Sequence, residues 1–125
     1  MDEHIFIGTH IISEMYGVSD HLINDQSLIL KILLRGVKLC GAKCEGVLCK
    51  QFLPSGFSAV LLLSESHTSV HTYPEKNALF ADAFTCGTNC DPKIIIDELV
   101  NGLEVENCKT KIIHRGEGSG DYEAL

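Results

Sequence analysis

The sequence predicts an α+β fold: a mainly antiparallel sheet with two helices on one face, dimerising through the other face into an αββα sandwich. Three observations point there. Short runs of strand length crowd the middle of the chain, two stretches of helical period stand outside them, and 125 residues supply one core. The sheet face away from the helices then needs a cover, and a second copy of the chain is the natural one.

In order along the chain, His4 to Ile12 reads as a first strand, interrupted at Gly8. Asn24 or Asp25 can cap a helix in which Leu28, Ile29, Ile32, Leu33, Val37 and Cys40 recur at helical spacing up to about Gly41. Cys44 to Phe52 reads as a strand stopped by the turn signal Pro54-Ser55-Gly56. Ser58 to Leu63 is short and apolar, as in a buried central strand. Ser66 to Tyr73 and Ala78 to Thr85 follow as two more strands. Asp91-Pro92 is a helix start, since Asp91 can accept from free backbone donors and Pro92 suits the first helical position. Ile95, Ile96, Leu99, Val100 and Leu103 form its apolar stripe, and Cys108 to His114 returns as the last strand.

No repeat, linker or charge block divides the chain, so residues 1–115 read as one domain and 116–125, opening Gly116-Glu117-Gly118-Ser119-Gly120-Asp121, as a flexible tail. The hydrophobic fraction of 45% excludes a disordered acidic protein. A net charge of −7 with ten scattered Lys and Arg argues against binding a phosphate backbone and is compatible with a cationic small substrate. No apolar run reaches membrane-span length, and Met1-Asp2-Glu3 lacks the basic start of a secretory signal. A cytoplasmic protein with no membrane or nucleic-acid partner is expected.

Six cysteines in a cytosolic chain should be mostly reduced. Cys40-x3-Cys44 and Cys86-x3-Cys90 invite a zinc reading, but the tighter spacing of structural zinc sites is missing, so no metal is expected. Cys40, Cys44, Cys49 and Cys108 read as buried thiols acting as small hydrophobes.

The segment Leu63-Ser64-Glu65-Ser66-His67-Thr68-Ser69-Val70-His71-Thr72-Tyr73-Pro74-Glu75, followed by Phe84-Thr85-Cys86-Gly87, gathers a serine, two histidines, carboxylates and a thiol within about twenty positions. Taken singly, Ser66 reads as a strand serine, His71 as a hydrogen-bonded strand histidine and Cys86 as another buried thiol. Together they closely resemble the self-cleavage region of the short bacterial and archaeal S-adenosylmethionine decarboxylases, which carry Ser-Glu-Ser-His, then His-Thr-Trp-Pro-Glu, then Phe-Thr-Cys-Gly. Gly8-Thr9-His10, Glu14-Met15-Tyr16-Gly17 and His114-Arg115-Gly116 resemble the family's opening and close. Tyr73 stands where the family usually has Trp, Leu48-Cys49 where Phe-His is usual, and Phe57 and Ala59 enlarge the positions beside Ser58.

The resemblance implies a proenzyme that cuts itself between Glu65 and Ser66 into chains 1–65 and 66–125, leaving on Ser66 a pyruvoyl group that serves as a built-in electron sink. It implies that His71 removes the alpha proton during this cleavage, that Ser58 holds the intermediate, and that Cys86 later protonates the product. It further implies that Phe52 stacks on the substrate adenine and that Glu75 accepts the ribose hydroxyls. The implied activity is decarboxylation of S-adenosylmethionine to the aminopropyl donor for spermidine. Pyruvoyl-dependent arginine or ornithine decarboxylation and an uncleaved regulatory binding subunit are the alternatives. Five positions of strand would put Ser66 and His71 on opposite sheet faces, so sites shared across a homodimer are expected.

Overall fold

The computed structural model describes residues 6–118, 120 and 122–125. Its elements run β1 (Ile7–Tyr16), α1 (Asp20–Ile23), α2 (Gln26–Cys40), β2 (Cys44–Gln51), β3 (Phe57–Leu63), β4 (Ser66–Tyr73), a short 3-10 helix (Pro74–Lys76), β5 (Ala78–Cys86), α3 (Pro92–Gly102) and β6 (Asn107–Gly116). The strands make one sheet in the order β2-β3-β4-β5-β1-β6, with every neighbouring pair antiparallel. The α+β expectation therefore stands, with one addition: α1, a four-residue helix too short to show a period.

Local chemistry sets the helix ends. The Asp25 carboxylate accepts from the Leu28 backbone N–H at 3.1 Å and starts α2, while Asp91 accepts from Lys93 N–H at 3.0 Å and starts α3 behind Pro92. Both helices turn an apolar stripe to the same sheet face, α2 through Ile29, Leu33 and Val37 and α3 through Ile95 and Leu99. Gly36 lets them meet, because a Cβ there would lie 3.0 Å from Ile95 Cα. Each Leu or Ile so buried contributes about 1.5–3 kcal/mol.

Strand alternation divides the sheet into two unlike faces. Ile11, Met15, Leu61, Leu63, Val70, Leu79, Ala81 and Ala83 point to the helices and are buried. The opposite face is open. It carries Ile12, Val60, Leu62 and Phe80 at 41%, 44%, 60% and 43% exposure, with Leu48 on the edge strand. That much uncovered apolar area on one face marks a surface that meets something.

The first strand is a correction. It begins at Ile7, with His4 and Ile5 outside the described residues, and runs past Ile12 to Tyr16, because Ser13 and Met15 keep pointing inward between outward Glu14 and Tyr16. Gly8 does not interrupt it; a Cβ there would sit 2.4 Å from the Phe84 ring. Cys49 is exposed, and Cys44 and Cys108 are only partly covered, so of the four thiols expected in the core only Cys40 is buried. Cys49 fails because β2 is an edge strand whose residues after Cys44 are all exposed. Phe57 and Ala59 point into the core, away from the face that carries Ser58. Gly116 closes β6 opposite Ile7, and Ser119 and Asp121 of the expected tail lie outside the described residues. Among the described residues no helix is long and apolar enough to cross a membrane.

Candidate active site

A two-residue connection, Ser64-Glu65, joins β3 to β4 after the last register pair, Leu63 with Ser66. Such tight hairpins need positive φ, which Gly or Asn supplies most cheaply. Here Glu65 takes it, at φ 64, a placement that costs a non-glycine residue roughly 1–2 kcal/mol. Ser64 is tied down on both sides, its N–H donating to Lys43 O at 3.2 Å and its hydroxyl to Glu45 Oε2 at 2.9 Å. Ser66 is buried, and its hydroxyl donates to Ser64 O at 3.3 Å.

Register brings the thiol to this turn. His67 pairs with Phe84, so two further positions along the same register set Glu65 across from Cys86. Cys86 Sγ–H donates to the carbonyl oxygen of Glu65 at 3.0 Å. Burial pushes the Cys86 thiol up from its ordinary value, the nearby Glu65 charge adds to this, and Arg115 partly offsets both. The sulfur therefore keeps its proton at neutral pH, which suits a hydrogen-bond donor and a proton source.

A second set of groups gathers toward the other end of the same strands. Ser58 and His71 are direct partners in the β3–β4 register, on the open face, with Ser58 Oγ 2.7 Å from His71 Nδ1. Phe52 follows β2; its N–H donates to Gly56 O at 2.9 Å, and its ring is partly exposed with Lys50 Nζ 5.4 Å from its centre. Glu75 is exposed on the 3-10 helix that leaves β4. The structure thus collects Glu65, Ser66 and Cys86 at one end, and Phe52, Ser58, His71 and Glu75 toward the other. It does not bring the two sets together within one chain.

The sequence reading missed a third group between them. Asp82 Oδ2 lies 2.6 Å from His10 Nε2 and 3.1 Å from His67 Nε2, and Ser69 Oγ donates to Asp82 Oδ1. Phe84 packs against both imidazoles, and the Arg115 guanidinium lies 4.4 Å from the centre of its ring. Burial pushes the Asp82 carboxyl up, but the bonds from Ser69 and His10 and the charge of His67 outweigh that and hold it below the usual carboxylate range. A lone carboxylate inside the apolar strand Ala78 to Thr85 was the available signal. Among the described residues these three side chains are the one set of His, Cys, Asp and Glu whose ligand atoms lie mutually within 4.8 Å, and here those atoms are spent on hydrogen bonds to each other.

Fold and site together define an α+β protein with two half-sites at opposite ends of one open-faced sheet. Residues 9–116 match the family described as S-adenosylmethionine decarboxylase. The S-adenosylmethionine decarboxylase proenzyme of Brevibacillus brevis is 40% identical over 116 residues, covering 93% of this chain and 87% of that one. The proenzyme of Methanococcus maripaludis is 40% identical over 110 residues, covering 88% of this chain and 90% of its own. The crystal structure of the adenosylmethionine decarboxylase from Aquifex aeolicus superposes with a TM-score of 0.83 at 27% identity, over 95% of this chain and 98% of that one. The Trypanosoma brucei monomer, at 13% identity and a TM-score of 0.61, shares the fold over 45% of its length. This chain belongs to the S-adenosylmethionine decarboxylase family.

Proposed function

We propose that this chain is an S-adenosylmethionine decarboxylase that first cuts itself between Glu65 and Ser66. The observation that carries this is the Cys86 thiol on the Glu65 carbonyl oxygen. Attack by Ser66 Oγ on that carbonyl carbon builds negative charge on the oxygen where the thiol already donates, so the donor stabilises the charge as it develops. Collapse breaks the bond from the Glu65 carbonyl carbon to the Ser66 nitrogen, which takes up the proton lost by the hydroxyl, and the peptide becomes an ester. His71 then takes the Ser66 alpha proton, and the Glu65 carboxylate leaves with the Cα-side electrons forming a double bond. Water converts the remaining enamine, with loss of ammonia, to a pyruvoyl end on residue 66.

The residues present fit such a group: Ser66 starts a strand, the peptide before it sits in a strained turn, and Cys86 stands beside it. Once formed, it supplies an imine-forming ketone that accepts the electrons released with CO₂. Phe52 offers a face to adenine and to the sulfonium charge, and Glu75 accepts from ribose. Cys86, still protonated, delivers the proton that replaces CO₂.

His71 serves the Ser66 of a second copy. The uncovered apolar face supports a homodimer that pairs open face to open face and builds two shared sites. Intact mass of the purified protein, followed by CO₂ release from S-adenosylmethionine, arginine and ornithine in turn, tests the reading. Two fragments and activity on the nucleoside are expected; an intact chain that still releases CO₂ overturns the pyruvoyl mechanism.

A further inference from the structure

Residues 67, 68 and 69 follow directly on residue 66, the new end left by the proposed cut, and all three bond to one residue. His67 Nε2 and Ser69 Oγ meet the Asp82 carboxylate on the open face, while Thr68 Oγ1 donates to the Asp82 backbone carbonyl at 2.7 Å on the helix face. His10, from β1, adds a fourth bond at 2.6 Å to the same carboxylate. Cys86 is four positions further along the strand that carries Asp82, on the same face.

In the uncut chain the start of β4 is held by its covalent link through Glu65 and by the Ser66 bond to Ser64 O. Cleavage removes both, since the peptide is gone and the serine oxygen leaves as part of the Glu65 carboxylate. The ladder also ends there, with no register pair on β5 before His67. What remains is the backbone pairing of residues 66–69 with β3, and of residues 67–69 with β5, together with the side-chain bonds to Asp82, which tie the new end to the strand that carries Cys86.

We propose that Asp82 is a positioning residue of the cut enzyme: its carboxylate latches the newly freed start of β4 and sets the reactive end against Cys86. This rests on the self-cleavage reading above. A reactive group displaced by about 1 Å loses on the order of 10²-fold in rate. Asp82 touches neither adenine nor ribose in this assignment, so the loss falls on turnover.

The test uses the cut dimer carrying Asp82→Ala or Asp82→Asn. Asp82→Ala should lower kcat about 10²-fold with KM moved less than about threefold, and Asp82→Asn, which keeps an accepting oxygen, should recover about tenfold of that loss. Amide hydrogen exchange at residues 67–69 should accelerate about tenfold in cut Asp82→Ala relative to cut wild type. In a Ser66→Ala background, which cannot be cut, the same substitution should change that exchange less than about threefold, because the covalent link still holds the strand. Unchanged kcat and exchange overturn the latch, and so does equal acceleration in cut and uncut protein, which would mark Asp82 as support for the fold alone. If Asp82→Ala does not fold, Ser69→Ala removes one bond and is judged by the same comparison. Wild type that never splits defeats the functional reading and the latch together; wild type that splits and turns over beside an unaffected Asp82→Ala defeats the latch only.

Discussion

Ser66 and His71 share strand β4 yet face opposite sides of the sheet, Ser66 buried toward the helices and His71 exposed on the open face. Five positions of extended chain also separate them by about 17 Å. One chain cannot bring both to the same bond. Co-expression of Ser66→Ala with His71→Ala should therefore restore cleavage of the His71→Ala chain, since a mixed dimer holds one site with both native residues. The readout is a denaturing gel; confirmed mixed dimers without cleavage would show that each chain processes itself.

Leu62 is 60% exposed on the open face, near the end of β3, so Leu62→Glu should leave the fold intact and split the proposed dimer into monomers. Sedimentation is expected to give the mass of a single chain, and cleavage should slow with it. A Leu62→Glu protein that remains dimeric at the same concentration would place the interface elsewhere.

The raised value of the Cys86 thiol has a sign that alkylation can read. An acid whose value rises on folding carries less thiolate at a given pH, so iodoacetamide at pH 8 should label exposed Cys49 first and Cys86 late, the lag narrowing above the ordinary thiol value. In turnover, Cys86→Ala is expected to slow the cut enzyme by about 10²-fold or more with a smaller change in KM. Cys90→Ala should do little. Equal losses from the two substitutions would mean that the wrong thiol has been assigned.

Glu75→Gln and Phe52→Ala should each lower kcat/KM for S-adenosylmethionine by about 10- to 100-fold, the scale of a charged hydrogen bond or of one stacked base. Neither residue has a part in the proposed cleavage steps, so self-cleavage should proceed at close to the native rate. Release of CO₂ from arginine or ornithine, with none from the nucleoside, would replace the substrate while keeping the cut.

The regular parts of this fold were legible because they rest on local rules. The expected strand Ser66–Tyr73 matches to the residue, and the capping chemistry that offers Asn24 or Asp25 for one helix and Asp91 for the other is met by Asp25 and Asp91. The length of β1 was not, since Ser13, Glu14 and Met15 alternate without an apolar run to announce them. The expected roles of Ser58, His71 and Cys86 came from family resemblance; the structure adds the Ser58–His71 bond and the thiol on Glu65. Asp82 escaped because its partner His10 is 72 positions away. Only the insertion of β1 between β5 and β6 brings them together, and strand order is set by long-range pairing that no short window contains.

That same insertion decides how the two fragments stay joined. A cut after Glu65 would leave β1, β2, β3, α1 and α2 on one piece and β4, β5, α3 and β6 on the other. Because β1 lies between β5 and β6 and β3 pairs with β4, the first piece is threaded through the second and cannot leave without stripping three ladders. Folding before the cut is an affair of one molecule, whereas recovery after it requires two fragments to find each other. Refolding yield of the cut protein should then fall on dilution while that of uncut Ser66→Ala stays level, so that cleavage makes the native arrangement something the chain can reach easily only once.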